Sequence, residues 1–209
     1  YKAQLDEVLA ASANLTDAQK LSAELFNDKI ASLGFVALFL SVSRDWSVEE
    51  FVHYDFLVNM AAFDGGIATW QEKARYDAVR PMTAARWQYG NATVRAWGGV
   101  GQGTQTIPAN QWTSYLNTGD HPDYPSGSAC FCSAHAQASR EYLGSDQLGW
   151  RVDYPAGSSV VEPGITPRVA GGVHFRAAVE APKAMCAAIG SRAHGFLRNL
   201  LAGSRELPR

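Results

Sequence analysis

The sequence runs to 209 residues, 46% apolar and only 18% charged, with 18 Lys+Arg against 20 Asp+Glu and a pI near 6.2. A net charge of −2 lacks the positive excess of a nucleic-acid-binding chain. Nine Phe, eight Tyr and six Trp with so few charges exclude disorder. The charged fraction falls below the ~25% of average soluble domains, which leaves little polar surface to cover a free monomer. The expectation is a homo-oligomer or contact with the rest of a longer chain, and Tyr1 in first place suits a processed or partial chain.

The length suits a single domain over residues 1–209. Helix signals fill residues 1–90. Asn14-Leu-Thr-Asp17 caps a stretch expected from about Ala18 to Val42, where Leu21, Leu25 and Ile30 recur at helical intervals. Ser47-Val-Glu-Glu50 is a capping box opening a second helix, with Phe51, Tyr54, Phe56 and Leu57 as its apolar side. Asp64-Gly-Gly66 is expected to interrupt that helix. A third should run from about Ile67 to Val79 and stop at Arg80-Pro81.

Residues 90–124 read as loop, rich in Gly, Asn, Thr and Pro. Within it, Gly98–Gly103 has the glycines of a phosphate loop, but no strand is expected to lead in, so it reads as a flexible loop. Trp87, Tyr89, Trp97, Trp112 and Tyr115 either line a pocket or fill core. A fourth helix opens at Pro125-Ser126 and ends near Tyr142-Leu-Gly144, with Pro at its first turn and Gly past its end. Residues 145–167 are irregular, and 169–201 form one or two helices with a break near Pro182 or Gly190. The fold class is all-α: a helical bundle with two long loops, which in a compact domain usually carry function.

Three cysteines do not make a disulfide framework, and Cys130-Phe-Cys132 lacks the second pair a zinc site needs. Cys130, Cys132 and Cys186 are expected to be plain buried thiols. The longest apolar run, Leu33 to Val42, is too short to span a bilayer. No signal peptide stands at the start, so the chain reads as soluble with its compartment open, secreted or organellar after processing.

Three motifs combine cations with small residues. Lys73 and Arg80 are seven apart, which on one helix puts both on one face, as a solvated stripe or around an anion. His121-Pro-Asp-Tyr-Pro-Ser126-Gly127-Ser128 places a hydroxyl and a glycine amide at a helix N-terminus, either an ordinary capped start or an anion site. Arg168 lies six residues before His174, with two glycines between; that His is structural or a ligand.

Together these motifs resemble the vanadium-dependent haloperoxidases and the related type 2 phosphatidic-acid phosphatase superfamily. The family pattern Lys-x6-Arg-Pro, Pro-Ser-Gly-His, Ser-Arg-x5-His reads here as Lys73…Arg80-Pro81, Pro125-Ser126-Gly127-Ser128 and Pro167-Arg168…His174. Trp70 and His121 resemble the haloperoxidase side, His121 in an algal bromoperoxidase-like His-Pro-x-Tyr-Pro-Ser-Gly context. The resemblance implies vanadate as cofactor, bonded by His174, with Lys73, Arg80 and Arg168 neutralising its oxygens and Ser126 and Gly127 donating hydrogen bonds. It implies hydrogen peroxide and a halide, bromide or iodide, as substrates, hypohalous acid as product, and Trp70 and His121 beside the halide.

Ser128 stands where the family has an acid–base His, and Pro167 where it has Ser. A Ser hydroxyl has no pKa near neutrality and cannot replace an imidazole in proton transfer. His121 is the candidate to supply the proton; His135, two turns into the same helix, is the second and lies deeper. Asp120 and Asp123 flank His121 and either orient it or serve as turn residues. His53 and His194 read as structural. Two alternatives use the same cage: a phosphomonoesterase with His174 as nucleophile forming a phosphohistidine, or a non-catalytic oxyanion-binding subunit.

Overall fold

In the computed structural model of the protein, residues 1–149, 155, 157–164 and 176–203 are described. In chain order the elements are α1 (Lys2–Ala13), α2 (Asp17–Asn27), a π-helical turn (Ile30–Gly34) running into α3 (Phe35–Ser43), α4 (Val48–Tyr76), α5 (Pro81–Tyr89), strands β1 (Thr93–Trp97) and β2 (Thr104–Pro108), α6 (Gly127–Leu143) and α7 (Arg176–Leu201). They form two compact units that interleave along the sequence. One holds Tyr1–Asp28, Tyr76–Tyr124 and Val152–Ala178; the other holds Lys29–Arg75, Pro125–Arg151 and Val179–Arg209.

In the first unit, α1 buries Leu5, Val8 and Leu9, one helical stripe, with Ala84 and Ala85 of α5, Ala96 of β1 and Trp112. Trp97, Tyr115 and Leu116 make a second small core. Trp112 and Tyr115 are therefore core, whereas Trp87 is 85% exposed. The expected 90–124 loop contains an antiparallel hairpin, with Thr93 opposite Pro108 and Trp97 opposite Thr104. Thr104–Thr106 are all exposed and Ala96 and Trp97 are buried in succession, so the alternation that marks a strand is weak. Gly98–Gly103 is the hairpin connection, with positive φ at Gly99, Gly101 and Gly103. The Gly101 amide donates to Glu162 Oε1 (2.7 Å), and the same carboxylate pairs with buried Lys20 of α2.

The helix expected over 18–42 is two. Thr16 and Gln19 form a capping box at the start of α2. Asn27 ends it, and Asp28 turns to extended backbone (φ −81°, ψ 102°).

In the second unit, Val36 and Leu40 of α3, Tyr54, Leu57 and Ala61 of α4, Cys130, Ala134 and Ala138 of α6, and Cys186, Ala193 and Leu197 of α7 share one core. Phe56, placed on the apolar side from sequence, is 40% exposed. Gly65 and Gly66 do not interrupt α4. They let α6 approach: a Cβ on Gly65 would lie 3.0 Å from Cys130 Sγ, and one on Gly66 3.1 Å from the Phe131 ring. Nor does α7 break at Pro182 or Gly190. A Cβ on Gly190 would press on the α6 backbone, 3.0 Å from the Ala138 nitrogen and closer to the Ala134 carbonyl oxygen. Small residues that suggest helix breaks in sequence are here the contact face of packed helices.

Cys130 and Cys186 are joined in a disulfide, so two of the three expected thiols are not thiols. Only Cys132 is free, its pKa raised by burial and opposed by the nearby Lys29 charge. Pairing depends on α6 and α7 lying side by side, which spacing cannot show. Among the described residues no single helix is long and apolar enough to cross a membrane.

Candidate functional site

The last turns of α4 carry Trp70 and Lys73. Lys73 is only 1% exposed, and its ammonium sits 5.8 Å from the Trp70 ring centroid, within cation–π range. The start of α6 meets the same indole. Ser126 is the N-cap, fully buried, its hydroxyl accepting from the Ala129 amide at 3.3 Å. That oxygen still carries a proton to donate. Gly127 opens the helix, and a Cβ there would lie 2.9 Å from Trp70 Cζ3, so glycine is what lets the indole rest on the helix N-terminus. Ser128 follows, half-buried in the first turn. Trp70 is 45% exposed and stacks on Phe131 with centroids 6.2 Å apart. One unit thus gathers Trp70, Lys73 and the Gly127 end of α6.

His135 lies in the core of that unit, 5% exposed, near Tyr54 and Ser139. Burial pushes its pKa down to about 4, with the Leu33 backbone pulling weakly the other way. It is neutral and too deep for proton transfer at a pocket. His194 pairs with Glu141 (3.1 Å) and His53 lies 3.9 Å from Glu49, both structural as read from sequence.

The other unit holds Arg80, His121 and Asp123. Lys73 and Arg80 do not share a helix face, because α4 stops at Tyr76. Asp77 takes a left-handed φ of 43°, and Arg80 is the extended N-cap of α5 (φ −76°, ψ 151°) ahead of Pro81. Proline drives the preceding residue out of helical backbone. The Arg80 guanidinium is 9% exposed as a residue and spreads its donors: Nε to the His121 carbonyl (3.0 Å), Nη2 toward His121 Nδ1 (3.1 Å) and Nε2 (3.4 Å), Nη1 to Asp123 Oδ1 (3.5 Å). Burial lowers the Arg80 pKa and the Asp123 charge opposes that.

A guanidinium only donates, so a His121 nitrogen bonded to it presents a lone pair. His121 Nδ1 also lies 3.2 Å from the Pro122 carbonyl, a bond that needs the proton on Nδ1 instead. Gly119 underlies the imidazole: a Cβ there would meet His121 Nε2 at 2.8 Å. Asp120 is exposed, whereas Asp123 is 1% exposed and pairs with Arg80. Gly119 and the Arg80 partnership of Asp123 were missed from sequence; a glycine and an aspartate in a turn-rich stretch carry no signal that separates them from ordinary turn residues. Arg168, Pro167 and His174 lie outside the described residues.

The chain is mainly helical, and its described elements are helices apart from one short hairpin. A family model described as VCPO second helical-bundle domain matches residues 53–169. The chain belongs to the vanadium-dependent haloperoxidase family. Among solved structures it is similar to a bacterial vanadium-dependent chloroperoxidase in its holo form, at 42% identity and a TM-score of 0.90, over 95% of this chain and 48% of that one. The apo form matches at 42% identity and 0.92, over 97% and 49%. A bacterial vanadium-dependent iodoperoxidase matches at 18% identity and 0.64, over 95% and 48%, a likeness of fold. The chain spans about half the length of the solved chains it matches. No curated protein sequence matches it.

Proposed function

We propose that the chain forms the anion-binding part of a vanadate-dependent haloperoxidase that oxidises halide with hydrogen peroxide to hypohalous acid. The observation that supports this most is the indole of Trp70, which touches both the buried Lys73 ammonium and the Gly127 end of α6. The Lys73 ammonium carries positive charge, and the start of α6 is the positive end of a helix dipole. Both attract an anion.

The candidate groups fit an oxyanion. The Lys73 ammonium, the Arg80 guanidinium, the Ser126 hydroxyl and the Gly127 amide are all hydrogen-bond donors, two of them cationic. In this reading they hold vanadate together with Arg168 and His174, His174 as the bonded ligand. Bound vanadate supplies a Lewis acid that activates peroxide without changing oxidation state. The Lys73 ammonium, at 1% exposure where water screens it least, would offset negative charge on the bound anion. Ser126, whose oxygen accepts the capping bond, still has a hydroxyl proton to donate. Ser128 can orient a water but not exchange its proton near neutrality, so acid–base work falls to His121, whose imidazole Arg80 and Gly119 hold in place. Trp70, nearly half exposed, borders the halide. Chloride stands beside bromide and iodide as a substrate, given the 42% identical chloroperoxidase. The Cys130–Cys186 bond supports an oxidising location.

The test is vanadate binding followed by halogenation of an organic acceptor with peroxide and each halide. The expected result is turnover only with vanadate, lost in Lys73→Ala and His174→Ala. Phosphomonoester hydrolysis without vanadate, or anion binding without any turnover, overturns it.

A further inference from the structure

We infer that Asp123 is a positioning residue for oxyanion binding, one that fixes the plane of the Arg80 guanidinium at the expense of part of its positive field. The inference rests on the haloperoxidase reading of Arg80. An arginine side chain has many rotamers to lose, and its planar fork binds an oxyanion well only when that plane is set beforehand.

Here all three guanidinium nitrogens are engaged. Nε and Nη2 hold His121, through its carbonyl and its ring, while Nη1 faces Asp123 Oδ1 from the other end of the plane. Asp123 is itself anchored. Its amide donates to the Ala78 carbonyl at 2.8 Å, two residues before Arg80. The backbone bond and the ion pair therefore clamp the 119–124 segment to the short link between α4 and α5 at two points. The left-handed φ of Asp77 lies in that same link, where a free chain would not dwell.

On charge alone, Asp123 is misplaced. A carboxylate only 1% exposed is costly to bury, and beside a cation meant for an anion it offsets attraction. Charge and geometry thus predict opposite signs for its removal. If Asp123 only dilutes the field, losing it tightens anion binding; as a positioning residue, losing it weakens binding.

The experiment measures vanadate and phosphate affinity by calorimetry, with thermal melting, for the wild type, Asp123→Ala, Asp123→Asn, Arg80→Ala and the Asp123→Ala/Arg80→Ala double variant. The expected result is about tenfold weaker vanadate binding in Asp123→Ala, the scale of lost outer-shell support. Asp123→Asn, which keeps an acceptor oxygen for Nη1, recovers most of it. The double variant binds no more weakly than Arg80→Ala, because the two act as one unit. A merely structural Asp123 would lower the melting temperature and leave affinity unchanged. Wild-type affinity or tighter binding in Asp123→Ala, or in the near-isosteric Asp123→Leu should the alanine variant not fold, overturns the proposal. Failure of the wild type to bind either anion overturns the haloperoxidase reading and this inference with it.

Discussion

Cys130 of α6 is bonded to Cys186 of α7, with Cα atoms 5.2 Å apart across 56 residues of sequence. The bond closes a loop in the unfolded chain, and chain-entropy reasoning puts its contribution near ~4 kcal/mol for a loop of that length. Reduction, or Cys130→Ala with Cys186→Ala, is expected to lower the urea midpoint accordingly. Equal midpoints with and without reductant would show that the bond contributes nothing.

His135 makes stability depend on pH. Its folded pKa of about 4 lies below the 6.5 of an ordinary imidazole, because burial disfavours the charged form. The unfolded chain therefore binds more protons between those values. The contribution is complete above pH 6.5 and is lost as pH falls toward 4, amounting to about 3 kcal/mol. Urea midpoints across that window should fall in the wild type and fall less in His135→Gln, where no proton is taken up.

Gly190 allows α7 to rest on the α6 backbone. In Gly190→Ala the new methyl meets the Ala134 carbonyl and the Ala138 nitrogen, neither of which can swing aside. Overpacking of this kind costs about 1–3 kcal/mol, more than the roughly 1 kcal/mol gained from helix propensity. Gly34→Ala, whose nearest neighbour is Ile30 Cγ2 at 3.9 Å, should be neutral or stabilising in the same melting assay.

Lys20 and Glu162 form a buried pair, their side chains 8% and 7% exposed. Burial pushes the Glu162 pKa up, but the bonds from Lys20 and the Gly101 amide outweigh it and hold the carboxyl below its ordinary range. Glu162→Ala leaves the buried Lys20 charge only the more distant, half-exposed Asp17 (3.5 Å) and is expected to cost about 3 kcal/mol, whereas Lys20→Met with Glu162→Leu should cost far less. Denaturation of both variants measures the difference.

The helix starts at Thr16, Ser47 and Ser126 and the stop at Gly144 were readable because capping is local: the bonds join residues three apart, and Gly144 takes a left-handed φ of 65°. Gly65, Gly66, Pro182 and Gly190 misled for the opposite reason. Their local cost as helix interrupters is about 1 kcal/mol for glycine and about 3 for proline, and packing into the α4–α6–α7 core outweighs it. The hairpin at 93–108 was hidden because its five-residue strands break the period-2 pattern, with Ala96 and Trp97 both buried and Thr104–Thr106 all exposed.

The sequence alone determined the helical class, the family and the candidate residues Lys73, Arg80, Ser126, Gly127, Arg168 and His174, since motif spacing survives without coordinates. Only the tertiary structure decided that Cys130 meets Cys186, that Trp70 rests on Gly127, and that Asp123 pairs with Arg80. Those relations join residues distant in the chain, or turn on which way a side chain points. Both are set by packing, where spacing carries no information.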